Sequence, residues 1–346
     1  MPKTVVVVPT IRESCIRDFL HAWEHELANA HVIVLEDNPE KTFDLGARAG
    51  IDHLCWTDID EELGDQAWII PRRTDCVRSF GYYRAWRERP DMIVTLDDDC
   101  FPVARGGEGF LERHWRRLEE GGTHEAWQES GVGVRTRGYP YFHSRRRWRC
   151  ALNHGMWQRV PDYDAPTQLL EQRAPHAFRF DNQTIAPGRY FPMCGMNLAF
   201  RPEIVPALYF LLMGRDFEFD RFGDIWAGVF AKKICDHMGW AVNSGDPAVD
   251  HRRASNVWAN LRKEAPGLEL NETLWSAVDA VRLTETTVAG CYRQLADALP
   301  RSGLSAAAYL RKLADAMRIW TDLFEPEEGK EHGSRSRVAA LAAGVV

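Results

Sequence analysis

Met92-Ile-Val-Thr-Leu96, followed at once by Asp97-Asp98-Asp99, decides the fold. Five uncharged residues, three of them β-branched, read as a buried strand, and the aspartates stand where that strand leaves its sheet. In open α/β sheets ligands bind outside the carboxyl ends of the strands. Carboxylates crowded there repel one another unless a cation or a substrate compensates them. A strand period carried through the triplet puts Asp97 and Asp99 on one face and turns Asp98 away. Hard oxygen ligands in that arrangement suit Mg²⁺ or Mn²⁺ bridging a diphosphate, and the alternative is a solvated acidic turn.

The flanking sequence supports a sheet. Thr4 to Val8 is a β-branched run ended by Pro9 and reads as a central parallel strand. Ile16, Phe19, Leu20, Trp23 and Leu27 recur at helical spacing, and His31-Val-Ile-Val-Leu35 is the next strand, closed by Glu36-Asp37-Asn38-Pro39. Thr74 or Asp75 can cap a helix carrying Val77, Phe80 and Trp86, which Pro90 stops before the strand at Met92. Strand, helix and strand in alternation predict an α/β fold with a mostly parallel, Rossmann-like sheet. No Gly-x-Gly-x-x-Gly or P-loop follows the first strand, which weighs against a dinucleotide fold and a kinase-type ATPase.

Residues 121–183 are rich in aromatics, arginine, glycine and proline without a sustained period, and read as a long excursion carrying the acceptor side of a site. A helix over Asp224 to His237 ends at Gly239. Beyond His251 the pattern is helical over Leu274 to Val281, Val288 to Leu299 and Ala306 to Phe324. The expected organisation is a core over 1–255, a helical extension over 256–324 and a disordered tail over 325–346.

A net charge of −7 gives no global pull toward nucleic acid or an anionic membrane. The basic cluster of Arg135, Arg137, Arg145, Arg146, Arg147 and Arg149 reads as a local phosphate site or a solvated loop. No stretch approaches the roughly 20 apolar residues that span a bilayer, and no basic region with an apolar signal core opens the chain, so a cytoplasmic protein is expected. The eight cysteines are scattered, without zinc spacing, and read as reduced core residues.

Pro9, Thr10 and Arg12 at the first strand's exit and Asp37 at the second's should lie side by side and could line a nucleoside pocket. A carboxylate accepts an imide proton or ribose hydroxyls, and an arginine faces a carbonyl or phosphate. Asp224 reads either as a helix N-cap or as a carboxylate that deprotonates an acceptor. His251 could be a third protein ligand to Mn²⁺, or a structural histidine.

Longer segments then carry a resemblance. Arg137-Gly-Tyr-Pro140, His154-Gly-Met-Trp157, Pro161-Asp-Tyr-Asp-Ala-Pro-Thr-Gln168, Phe191-Pro-Met-Cys-Gly-Met-Asn-Leu-Ala-Phe200 and Asp224-Ile-Trp-Ala-Gly228 closely resemble the plant reversibly glycosylated polypeptides, the UDP-arabinopyranose mutases. Leu96-Asp-Asp-Asp-Cys-Phe101, Cys76-Val-Arg-Ser-Phe-Gly81, Lys233-Ile-Cys-Asp-His237 and Ala254-Ser-Asn256 belong to the same pattern. The resemblance implies a GT-A glycosyltransferase fold with a C-terminal helical segment, and a UDP-sugar substrate held with Mn²⁺ or Mg²⁺ through Asp97, Asp99 and His251.

It implies that Arg137 is reversibly glycosylated, with Arg145 the best match to a second arginine and Asp224 the survivor of a paired acid whose first member is here Gly223. Substrate contacts are implied for Asp75, Arg78, Asp98, His154, Trp157, Asp162, Asp164, Gly195 and Asn197. The implied reaction interconverts UDP-arabinopyranose and UDP-arabinofuranose, and assembly with further copies of the chain is compatible with it. One alternative is a transferase passing a hexose from UDP-glucose to a small acceptor; another is a non-catalytic scaffold that binds sugar nucleotides.

Overall fold

The computed structural model describes residues 2–46, 49–103, 107–128, 131, 134–140, 142–171, 181–252 and 256–325. The first half alternates β1 (Thr4–Thr10), α1 (Glu13–Ala22), β2 (His31–Glu36), β3 (Ile51–Leu54), α2 (Trp56–Leu63), α3 (Arg78–Arg87) and β4 (Met92–Leu96). There follow β5 (Cys100–Pro102), α4 (Phe110–Glu120), β6 (Gly122–Glu125), β7 (Arg145–Trp148), β8 (Cys150–Arg159), α5 (Ala165–Leu170), β9 (Gln183–Thr184) and β10 (Asn197–Phe200). The chain ends with α6 (Gly223–Met238), β11 (Ala241–His251), α7 (Val257–Glu264), α8 (Leu268–Asp279), α9 (Val288–Ala298) and α10 (Ala307–Asp322).

The main sheet runs β3-β2-β1-β4-β10-β8-β11-β5, with β9 also against β11. Strands β3, β2, β1 and β4 are parallel. Beyond them β10 is antiparallel to both β4 and β8, β8 and β11 are parallel, and β5 pairs antiparallel at the far edge. This is a Rossmann-like α/β fold of the GT-A kind, with a helical segment at its C-terminal end.

The period of two in β1 explains why the sheet is buried on both sides. Val5 and Val7 join Ile33, Leu35, Phe80 and the C-terminal helices, while Val6 and Val8 face Phe19, Leu20 and Trp23 of the α1 layer. All four valines are inaccessible to solvent, each contributing roughly 1.5–3 kcal/mol of gross apolar burial. Helix α3 comes close to β1 and β2 only because residue 81 is glycine: a Cβ there would stand 2.4 Å from Leu35 Cδ1 and 2.5 Å from Val7 Cγ1. Helices α8 and α9 pack on α6, and α10 on α9, so the helical end shares the core of the sheet.

Several expectations change. Strand β1 continues through Pro9 to Thr10, whose backbone still pairs with β2. The excursion over 121–183 contains β8, a ten-residue central strand. Its buried polar residues Asn153 and His154 broke the apolar pattern that marks strands. Residue 224 is not the N-cap of α6: Phe222 holds that position and Asp224 lies in the first turn. Gly239 does end α6 in the left-handed conformation. The expected tail lies, beyond Glu325, outside the described residues. No helix among the described residues is long and apolar enough to cross a membrane. None of the eight cysteines, all among the described residues, is in a disulfide, and seven are buried.

Candidate active site

A cleft of about 770 Å³ opens where β1, β2 and β4 end, between the sheet and the first turn of α6. Its first end is built by the β1 and β2 exits, with Pro9, Thr10, Arg12 and Asp37 all on the wall. Asp37 is 2% exposed and its Oδ1 accepts from Trp56 Nε1 at 2.6 Å. Burial raises its carboxyl above the usual range, against opposing hydrogen bonds from Arg73, Trp56 and Thr74. Arg72 and Arg73 both stand over the Trp56 ring.

The acidic triplet forms the floor. Strand β4 stops at Leu96 and the chain turns, so the period of two does not carry through. Asp98 therefore faces the cleft rather than leaving it. It accepts from Thr10 Oγ1 at 2.6 Å and from Arg12 Nη2 at 3.0 Å, and burial raises its pKa despite both partners. Asp97 takes Arg78 Nη2 at 2.5 Å. Arg78 is 2% exposed and also donates to the Gly195 carbonyl and Thr95 Oγ1, so its guanidinium ties α3, β4 and the loop before β10 together.

Asp99 is pushed up to about 6, chiefly by burial and then by the charges of Asp97 and Asp98, with His251 and Arg12 opposing. Its buried Oδ1 has no hydrogen-bond partner among the described residues, and His251 Nε2 stands 3.7 Å away. The other ring nitrogen of His251 donates to the Val160 carbonyl at 2.9 Å, which orients the ring with Nε2 toward Asp99. An orphaned carboxylate oxygen, two further carboxylates and an imidazole so oriented suit a divalent cation.

Among the described residues, the three ligand atoms already close enough to share an ion belong instead to His31, Asp52 and Glu88. There each nitrogen of His31 meets a different carboxylate, an ion-pair arrangement in which a single ring cannot offer both atoms to one metal. Asp97, Asp99 and His251 would have to draw in around a bound ion.

A second acidic group faces the triplet across the cleft. Asp224 Oδ2 accepts from the Gly195 N–H at 2.8 Å and its Oδ1 from Ile225 N–H. Its pKa is pushed up to about 7 by burial, then by the charges of Asp75 and Asp162. Asp75 is also raised, by burial and the Asp97 charge, with Arg78 opposing. An acid poised near neutrality in a cleft is equipped to take or give a proton.

The remaining predicted contacts divide. His154, Trp157, Asp162, Asp164 and Gly195 line the cleft, Asp164 while also capping α5 by accepting from Thr167 N–H. Asn197 does not reach it. Its Nδ2 donates to the Met156 and Pro247 carbonyls and its Oδ1 meets His114 Nε2, so the side chain stitches the strands beneath. A Cβ at residue 155 would lie 2.2 Å from Asn197 Nδ2, which is why glycine precedes Met156.

Arg137 and Arg145 are also outside the cleft wall. Both are exposed on the β6–β7 hairpin and its connection, with Arg145 held by Glu125 at 2.5 Å. The expected phosphate cluster is largely engaged elsewhere: Arg147 donates to the Glu120 carbonyl, Arg149 meets Glu203 and Arg135 stands over Tyr139. The hairpin borders β9 and β11, with Thr123 N–H bonded to Thr184 Oγ1.

Sequence reasoning missed Gln183, Phe191, Arg221, Ser244, Lys263 and Glu264, all on the wall. Phe191 opens one of the quoted segments and was within reach. Ser244 was hidden because Asn243-Ser-Gly-Asp-Pro247 reads as a turn, although it is the middle of β11.

The model of the family described as reversibly glycosylated polypeptide matches residues 3–328. UDP-arabinopyranose mutase 1 of Arabidopsis thaliana is 37% identical over 338 residues, covering 92% of this chain and 91% of the relative. Probable UDP-arabinopyranose mutase 4 of the same plant is 36% identical over 335 residues, covering 92% and 90%. UDP-arabinopyranose mutase 1 of Oryza sativa subsp. japonica is 35% identical over 338 residues, again covering 92% and 90%.

Proposed function

This chain belongs to the reversibly glycosylated polypeptide family, and from that premise we propose that it is a UDP-sugar mutase interconverting UDP-arabinopyranose and UDP-arabinofuranose. The observation that carries the reading is the convergence of Asp37, the acidic triplet and Asp224 on one cleft, in a chain that matches mutases along nearly its whole length. In this reading uridine occupies the end built by Pro9, Thr10, Arg12 and Asp37. Asp97, Asp99 and His251 would hold Mn²⁺ or Mg²⁺, which when bound would supply positive charge to the diphosphate. Arg78 fixes Asp97 in place and adds a fixed cation.

The transfer step breaks the bond between the anomeric carbon and the phosphate oxygen. UDP leaves with the electron pair, and a guanidinium nitrogen of Arg137 forms the new bond as its proton passes to a carboxylate. Asp224, held near 7, is suited to receive it. While UDP is away the arginine-bound pentose opens at its C1–O5 bond, O5 taking a proton, and recloses as the C4 hydroxyl adds to C1 and gives one up, so no atom or electron is gained or lost. Attack of a UDP phosphate oxygen on C1 then breaks the C1–N bond, returns the proton to the guanidinium and releases the furanose nucleotide. The loop bearing Arg137 must come over the β9 border for this to occur.

A transferase acting on a separate small acceptor is the second reading, favoured by the position of Arg137 and Arg145 off the cleft wall. Incubation with UDP-arabinopyranose, followed by chromatography for the furanose nucleotide and intact-mass measurement, separates the two. A mutase gives the furanose form and a one-sugar adduct that excess UDP removes. Arg137→Lys keeps the charge without the planar guanidinium and should lose both while still binding UDP. Furanose formation by Arg137→Lys would exclude the covalent carrier.

A further inference from the structure

One rung of the sheet turns from apolar to polar as it enters the cleft. Leu198 of β10 pairs with His154 of β8, His154 with Ser244 of β11, and Ser244 with Gln183 of β9. Side chains directly opposite one another across neighbouring strands share a face. Leu198 is in the core, whereas His154, Ser244 and Gln183 all line the cleft. With strands about 4.8 Å apart, the three polar residues span about 10 Å. Just beyond this rung β11 slips register, from Gly245 opposite Gly155 to Val249 opposite Trp157, the kind of irregularity that accompanies sites.

His154 is the informative member. It is 5% exposed, its Nδ1 is 2.9 Å from Ser244 Oγ, and its Nε2 is buried with no hydrogen-bond partner among the described residues. Leaving such an atom unpaired is costly, so a fold retains it where a ligand completes it. Burial lowers the imidazole to about 4, so it is uncharged near neutrality and offers Nε2 as an ordinary hydrogen-bonding group. Phe191 stands against it, ring centroids 5.4 Å apart, and Ile185 and Met156 extend the apolar wall.

We infer that the His154–Ser244–Gln183 rung, backed by Phe191, is the subsite for the sugar ring. It binds hydroxyl groups through uncharged partners and the C–H face through the aromatic wall. An uncharged rung suits a neutral polyol, whereas the charged groups lie along the rest of the cleft, at the triplet and around Asp224. This rests on the proposed UDP-sugar reading and adds the residues that tell a UDP-sugar from UDP.

Calorimetric titration with UDP, UDP-arabinopyranose and UDP-glucose tests it on the parent, His154→Ala, His154→Gln, Ser244→Ala and Gln183→Ala. Each alanine variant should weaken the preferred UDP-sugar about fivefold and leave UDP affinity unchanged. His154→Gln, which keeps an uncharged hydrogen-bonding group, should recover part of the loss. Unchanged UDP affinity reports an intact fold, and Gln183→Ala, at an exposed edge, carries the test if a buried variant does not fold. Equal losses for UDP and UDP-sugar, or no loss in any variant, overturn the subsite while leaving the proposed function standing. Failure of the parent to bind any UDP-sugar removes the proposed function itself.

Discussion

Asp224→Asn puts the chemistry of the cleft on a stability scale. The carboxyl is lifted from an ordinary 3.8 to about 7, first by burial and then by Asp75 and Asp162. Well below pH 3.8 it is protonated in both folded and unfolded chains and has no effect on stability. Between 3.8 and 7 the unfolded chain releases its proton first, so the folded state holds more protons and stability falls as pH rises. Above 7 the full penalty is present. At 1.36 kcal/mol per pKa unit, the ceiling is about 4 kcal/mol.

Asparagine removes the charge and keeps one acceptor for the Gly195 or Ile225 N–H, so the variant should gain about 2–4 kcal/mol over the parent at pH 8 and little near pH 4. Urea unfolding at a series of pH values, without nucleotide or metal, measures the difference. The same variant should bind UDP yet lose turnover, the trade expected when a strained charge serves catalysis. A stability difference that stays constant from pH 4 to pH 8 would refute the reasoning, because it would mean that residue 224 is not charged against its surroundings.

Chelator should abolish turnover of the parent and added Mn²⁺ restore it, while Asp99→Asn should unfold at higher urea than the metal-free parent and stay inactive at any Mn²⁺ concentration. Turnover insensitive to chelator would remove the metal from the reading. Asn197→Ala should cost roughly 2–4 kcal/mol in urea unfolding, since it strands the Met156 and Pro247 carbonyls and His114 in the interior. Its affinity for UDP should match the parent's under conditions where it is folded; a selective loss of nucleotide binding would return Asn197 to the cleft.

Three strands of the parallel half and the helices α1 and α3 were legible because those strands are apolar on both faces and those helices keep their spacing, whereas the edge strand Ile51-Asp-His-Leu54, half polar and only partly buried, and the helix α2 after it were not. Thr4 to Val8, His31 to Leu35 and Met92 to Leu96 needed no long-range information to be read as strands. The mixed half was not legible for an opposite reason. Strands β8, β10 and β11 carry Asn153, His154, Asn197, Asn243 and Ser244 in buried positions, where the hydrogen bonds they make go to strands and to helix α4 far away in sequence. A window of local sequence sees only polar interruptions there.

The candidate site divides along the same line. Strand exits point at a cleft whatever their partners, so Thr10, Arg12, Asp37 and the triplet could be placed from the sequence. The face taken by Asp98 could not, because it depends on the turn after Leu96 and on Arg12 reaching across from β1. The rung of His154, Ser244 and Gln183 is set only by strand pairing between segments some thirty to ninety positions apart. Placement of Arg137 is harder still. Its motif fixes the local chain, whereas the hairpin that carries it meets the sheet through Thr123 and Thr184 at the β9 edge, so its approach to the cleft is a property of that joint rather than of the motif.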